Sequence, residues 1–218
     1  MCLLLETIRI ENGHIYNLMY HQERMNHARK ILFRCSDRLN LAEIINAHLS
    51  SAGFAIRPQK TADLQSLHKK QSKPHKCRIK YVKEIQTIEF IPYKQPSINS
   101  LKIAHDDQID YAFKYNDRSP LNELFAQKAN CDDILIVKQG FITDTSYANI
   151  LFYNGKEWLT PTHPLLNGVQ RASLLDRELI QVADIRPEDL KHFQKARLIN
   201  AMIRFEDKLD IKIDHIYF

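Results

Sequence analysis

The stretch Pro92-Tyr93-Lys94-Gln95-Pro96-Ser97-Ile98-Asn99 constrains the fold of this 218-residue chain more than any other. Each proline fixes its own backbone and disfavours helix in the residue before it, and the turn formers around them follow neither helical nor strand periodicity. A boundary is expected here, with a small N-terminal α/β domain over residues 1–94 and a larger C-terminal domain over 95–218. The hydrophobic content of 44% can supply one good core or two small ones.

In the first part, the alternation in Thr7-Ile8-Arg9-Ile10 and in His14-Ile15-Tyr16-Asn17-Leu18, on either side of Glu11-Asn12-Gly13, predicts a β-hairpin. Apolar residues at helical spacing predict helices from His21 to Phe33 and from Leu41 to Ala52, the second capped by Asn40 and ended by Gly53. Strands are expected over Cys77 to Val82 and Thr87 to Ile91. In the second part the pattern predicts a helix from Pro120 to Lys128 and a hairpin of Asp133 to Lys138 with Phe141 to Thr143, turning at Gln139-Gly140. A strand over Asn149 to Tyr153, helices from Gln170 to Ala183 and Pro187 to Phe193, and strands over Ala196 to Ile199 and Lys208 to Ile213 complete an α+β pattern without repeats.

Several function classes are disfavoured. The chain has no run of eighteen apolar residues, and its start at Met1-Cys2-Leu3-Leu4-Leu5 meets Glu6 too soon for a signal peptide, so a soluble, cytoplasmic protein with no membrane association is expected. Cys2, Cys35, Cys77 and Cys131 are far apart, which fits reduced thiols, and the ten histidines lack metal-ligand spacing. The net charge of +5 is densest from His68 to Lys80, but no stacking aromatics are interleaved there, so a solvated loop is expected and no nucleic-acid partner.

Chemistry concentrates between Lys114 and Arg171. The segment holds Lys114-Tyr115-Asn116-Asp117-Arg118, then Asp144-Thr145-Ser146-Tyr147-Ala148-Asn149, Thr160-Pro161 and Leu166-Asn167-Gly168-Val169-Gln170-Arg171. Pyridoxal phosphate (PLP) needs an amine for a Schiff base, a carboxylate for its pyridine nitrogen and backbone donors for its phosphate, and this segment offers all three. Lys114 follows Ile109, Tyr111, Ala112 and Phe113, an apolar lead-in expected to carry it inward on a strand, where burial could hold its amine neutral. A surface lysine at a strand end is the plainer alternative. Gly168 stands at a predicted helix start, where the amides of Val169 and Gln170 could meet a phosphate and a missing side chain permits close approach. An ordinary turn before a helix is the alternative. Arg78 and Tyr81 are candidates for a substrate carboxylate.

With these motifs, and with Leu5-Glu6-Thr7-Ile8-Arg9, His21-Gln22-Glu23-Arg24-Met25 and Asn200-Ala201 in the same order, the chain resembles the class IV aminotransferases. This family of PLP fold type IV includes branched-chain and D-amino acid aminotransferases and aminodeoxychorismate lyase. The resemblance implies a two-domain, D-amino acid aminotransferase-like fold with a short N-terminal domain, PLP as cofactor, Lys114 as the Schiff-base lysine and Arg24 on the phosphate. It also implies Asp144 on the pyridine nitrogen, where the family usually carries glutamate, and a homodimer. Asn200 matches a position beside the phosphate or ring in the lyase-like members. Arg118, four residues after Lys114, matches the arginine of the Lys-x-x-Asn-Arg pattern of the lyases, with Asp117 in place of its asparagine and Ser119 where many transaminases carry tyrosine.

The implied chemistry has the amine of a carboxylate-bearing substrate displace Lys114, which then removes the proton from the amine-bearing carbon. Expulsion of pyruvate from aminodeoxychorismate would give p-aminobenzoate; reprotonation on the cofactor would give transamination. A binding protein that keeps the fold without the chemistry is the third possibility.

Overall fold

The computed structural model describes residues 2–51 and 73–218, so Ala52, Gly53 and the basic stretch from His68 to Gln71 and Ser72 lie outside the described residues. The chain divides into two compact units, Leu3–Lys94 and Gln95–Phe218, each with its own sheet.

The N-terminal unit contains β1 (Leu4–Glu11), β2 (His14–Ile15), α1 (Leu18–Phe33), α2 (Leu41–Ser51), β3 (His75–Tyr81) and β4 (Ile85–Pro92). Its antiparallel sheet has the order β2-β1-β3-β4. β1 is flanked on both sides, and most of its residues are buried. The hairpin partner expected to reach Leu18 stops at Ile15, because Asn17 turns left-handed at φ 52° and begins α1 instead. In α2, Asn40 accepts from the amides of Ala42 at 3.1 Å and Glu43 at 3.3 Å, and so satisfies two of the donors a helix start leaves open.

The C-terminal unit contains β5 (Leu101–His105), α3 (Ser119–Phe125), β6 (Asp133–Lys138), β7 (Phe141–Thr145), β8 (Asn149–Tyr153), β9 (Trp158–Pro161), α4 (Val169–Asp176), β10 (Gln181–Ala183), β11 (Lys195–Ile199), β12 (Asp210–Lys212) and β13 (Ile216–Tyr217). Seven strands run β10-β9-β8-β7-β6-β5-β13, and β11 pairs with β8 and β12. The β6–β7 hairpin turns on two left-handed residues, Gln139 and Gly140. A core of Leu135, Val137, Ile150, Phe152, Ala196 and Leu198 lies along the central strands.

Two expectations are corrected here. The helix predicted to Ala183 ends at Asp176, and residues 181–183 pair in parallel with β9. Glu178 adopts φ 56°, its amide donates to the Leu175 carbonyl, and the Leu179 amide donates to that of Leu174. This is a Schellman ending, here built without the glycine that would signal it in sequence. The stretch predicted as helix from Pro187 to Phe193 is a 3₁₀ segment, Pro187–His192. Among the described residues no helix is long and apolar enough to cross a membrane.

Candidate active site

Lys114 lies on the connection between β5 and α3, not on a strand, and is half-buried. Short polar side chains explain the difference. Asp106 accepts from the amides of Gln108 and Ile109, Asp110 from that of Ala112, and Asp117 from that of Ser119. These local bonds give the backbone an alternative to a sheet ladder. The apolar residues still turn inward: Ile109 and Tyr111 join Leu121, Ile134 and Ile136 in one cluster, against which Tyr115, Leu165 and Leu166 pack. The Tyr111 hydroxyl donates to the Tyr115 carbonyl at 2.6 Å. The residue beside Lys114 and the segment leading into α4 therefore rest on a common base.

Asp144, near the end of β7, is 5% exposed. Its cross-strand partner is Asn149, the first residue of β8, and such partners lie on the same face of a sheet. Asn149 Nδ2 donates to Asp144 Oδ1 at 2.7 Å and to the Leu166 carbonyl at 3.0 Å, while the Leu166 amide donates to Asp144 Oδ2 at 3.0 Å. Burial pushes the Asp144 carboxyl up to about 6, against the lowering effect of these hydrogen bonds and of the Arg171 charge. Among the described residues no cationic side chain forms an ion pair with it. Arg171 is itself engaged by the Thr160 hydroxyl at 3.3 Å and the Pro161 carbonyl at 2.9 Å.

Gly168 is the N-cap of α4, and Val169 and Gln170 open the helix, both buried. The Gly168 backbone (φ −71°, ψ 139°) is open to any residue, so conformation does not require glycine. Space does: a Cβ there would stand 1.8 Å from Asn149 Oδ1.

Arg118 and Asn200 meet the turn that follows Asp144. Arg118 Nη2 donates to the Ser146 carbonyl at 2.5 Å, and Asn200 Nδ2 to the neighbouring Tyr147 carbonyl at 3.3 Å. Asn200 Oδ1 accepts from the amides of Met202 and Ile203, which fixes its own turn. The Lys114 connection, the Asp144 turn, the start of α4 and the Asn200 turn are thus joined within one unit.

The remaining sequence candidates belong to the N-terminal unit. Arg24 is not paired with its neighbour Glu23, which bonds Arg38. Its Nε and Nη2 instead donate to the two oxygens of Glu6 at 2.9 and 2.6 Å, and His21 Nδ1 lies 2.6 Å from the same carboxylate. Glu6 is completely buried. Burial raises its pKa, but the Arg24 charge and the His21 contact outweigh this and hold it at about 2. On β3 the burial alternates: Cys77, Ile79 and Tyr81 are buried, whereas Arg78 is half-buried. Arg78 and Tyr81, an odd number of residues apart on a strand, lie on opposite faces and are not brought together.

A model of the amino-transferase class IV family matches residues 3–205, and the chain belongs to that family. It is 36% identical over 201 residues to an uncharacterized protein of Haemophilus influenzae, covering 91% of this chain and 97% of that one. A crystal structure from Haemophilus somnus, named as a candidate 4-amino-4-deoxychorismate lyase, is 36% identical and superposes with a TM-score of 0.82 over 94% of this chain and 98% of its own. The PLP-bound form of a hypothetical aminotransferase from Mycobacterium tuberculosis shares the fold, with 13% identity, a TM-score of 0.70 and coverage of 99% of this chain and 81% of that chain.

The family uses PLP, and the groups here fit it. A deeply buried carboxylate with no ion-paired cation suits a protonated ring nitrogen, and a helix start led by glycine suits a phosphate. Reading the sequence gave no role to Asn149, Arg171, Glu6 or His21. The one available signal was Glu6, a lone charge inside the apolar run Leu3-Leu4-Leu5 to Ile8.

Proposed function

We propose that this chain is a PLP-dependent 4-amino-4-deoxychorismate lyase, which releases pyruvate and leaves p-aminobenzoate, a folate precursor. The observation that carries this reading is the convergence of Arg118 and Asn200, the two residues of lyase character, on consecutive carbonyls of the turn after Asp144. The name given to the Haemophilus somnus protein, similar over nearly the whole length of both chains, supports it.

When bound, PLP supplies an electron sink that lets an amine-bearing carbon release its proton. Lys114 would hold the cofactor through Nζ and, displaced by the substrate amine, take up the proton at that same nitrogen. Asp144 would hold the ring nitrogen protonated. The amides of Val169 and Gln170 beyond Gly168 would bind phosphate, and Arg24 is the family-based candidate for the same group. Asn200 would lie beside the ring or phosphate. Arg118 is a candidate for a substrate carboxylate. Of Arg78 and Tyr81, only Arg78 keeps an accessible side chain for that task. The family likeness supports a homodimer, and a cytoplasmic location is the expectation from the sequence.

The test is an absorbance titration with PLP, before and after borohydride reduction, on wild-type protein and Lys114→Ala, followed by product assays. We expect a band that reduction fixes onto Lys114, and then pyruvate released from aminodeoxychorismate. A fixed band with keto-acid formation from amino acids instead would make the protein a transaminase. No band would leave a binding protein on this fold.

A further inference from the structure

We infer that Asn149 is a positioning residue that aims the Asp144 carboxylate and ties it to the turn before α4, and that residue 168 is glycine in order to admit Asn149. The inference rests on the proposed role of Asp144 opposite the pyridine nitrogen. Asn149 donates from a single nitrogen to Asp144 Oδ1 and to the Leu166 carbonyl, while the Leu166 amide closes the loop onto Asp144 Oδ2. The carboxylate is thus bonded at both oxygens to groups that also bond each other, which leaves its plane little freedom. Aspartate has one fewer rotatable bond than the glutamate usual in the family, so its backbone already narrows its direction and these neighbours fix what freedom remains.

Gly168 is the other half of the arrangement. The Asn149 amide fills the space a Cβ would occupy, with Oδ1 at 1.8 Å and Cγ at 3.0 Å. A distance of 1.8 Å cannot be relieved by a small adjustment, because Asn149 is a buried side chain held at its nitrogen by two acceptors. The glycine at the helix start therefore serves the carboxylate as well as any phosphate. Arg171 is the charged group that faces Asp144 electrostatically from α4, and it does so without bonding it.

The experiment is a double-mutant cycle of Asn149→Ala and Gly168→Ala, with Asn149→Asp as the size-conserving variant. Its readouts are the ¹³C carboxyl titration of Asp144 in cofactor-free protein, assigned with Asp144→Asn, and PLP affinity by absorbance. Loss of a hydrogen bond to the charged form should move the Asp144 midpoint up by about one unit in N149A, roughly tenfold in proton affinity. N149D places a second carboxyl against it and should move the midpoint further. G168A should weaken PLP binding at least tenfold in wild type and in N149D, which keep Oδ1, and far less in N149A, which vacates the space. An Asp144 midpoint unmoved in both Asn149 variants, or equal losses from G168A in every background, would overturn the inference. Failure of wild-type protein to bind PLP would instead overturn the reading under Proposed function, and the cofactor-free titration would still judge Asn149.

Discussion

Glu6 and Asp144 are both buried carboxylates on strands, one in each unit, and their proton affinities move in opposite directions. Glu6 receives two donors from Arg24 and a contact from His21, and is held at about 2. Asp144 receives neutral donors only and is pushed up to about 6. Burial costs each charge heavily, and a cation hydrogen-bonded to the carboxylate, as Arg24 is to Glu6 and Arg171 is not to Asp144, decides which way the balance falls. A carboxylate whose charge is already matched is complete as it stands; one left unmatched is suited to a partner from outside the chain. On the proposed reading Asp144 would meet a cationic ligand atom, whereas Glu6 braces Arg24.

Removing the two carboxylates should therefore do different things, and these are the largest effects expected. Glu6→Ala leaves Arg24 and His21 beside a vacated, buried site and should cost about 3–5 kcal/mol of stability in urea unfolding. Asp144→Asn keeps the shape and removes an unmatched charge. Relief of the charge, roughly 3 kcal/mol at pH 7, is largely offset because one accepting oxygen becomes an N–H donor facing Asn149 or Leu166, so cofactor-free protein should gain only about 1 kcal/mol, while turnover falls on the order of 10²- to 10³-fold. Equal destabilisation by both variants would break the comparison.

The pH dependence sharpens it through sign. Glu6 has a folded pKa of about 2, below its ordinary 4.5, so its contribution is fully present above pH 4.5 and is lost as pH falls towards 2. Asp144 has a folded pKa of about 6, above its ordinary 3.8, so the folded state holds its proton more tightly. Its favourable contribution is present below pH 3.8 and is lost as pH rises towards 6. The stability difference between wild type and Glu6→Gln should change mainly below pH 4.5, and that between wild type and Asp144→Asn mainly between 3.8 and 6, with opposite slopes. Slopes of the same sign would show that the two sites do not differ in the way described.

The sequence disclosed these features unevenly. The Gln139-Gly140 hairpin and the Asn40 cap could be read because each rests on residues adjacent in the chain. β5 and β13 could not: both are short, and they pair in parallel with segments distant in sequence, so local alternation never develops. Lys114 lies off the strand expected of it, because Ile109 and Tyr111 suggest a strand while Asp106 and Asp110 capture the amides a strand would need. Asn149 was within the quoted motif yet without a role, since its bonds to Asp144 and Leu166 exist only once β7, β8 and the start of α4 are assembled.

The smallest effect expected concerns the same unit as Asp144 but not its carboxylate. Glu178 is exposed and holds φ 56° at the Schellman ending of α4, a conformation that costs a residue with a Cβ about 1 kcal/mol or more. Glycine adopts it freely but loses more entropy on folding, so Glu178→Gly should raise stability by only about 0.5–1 kcal/mol in urea unfolding. It should leave the Asp144 carboxyl midpoint where it is. Asp144→Asn, in contrast, couples a gain in stability to a loss of turnover. If Glu178→Gly also moved that midpoint, the upward shift at Asp144 would reflect the stability of the whole unit, and an unmatched buried charge would no longer explain it.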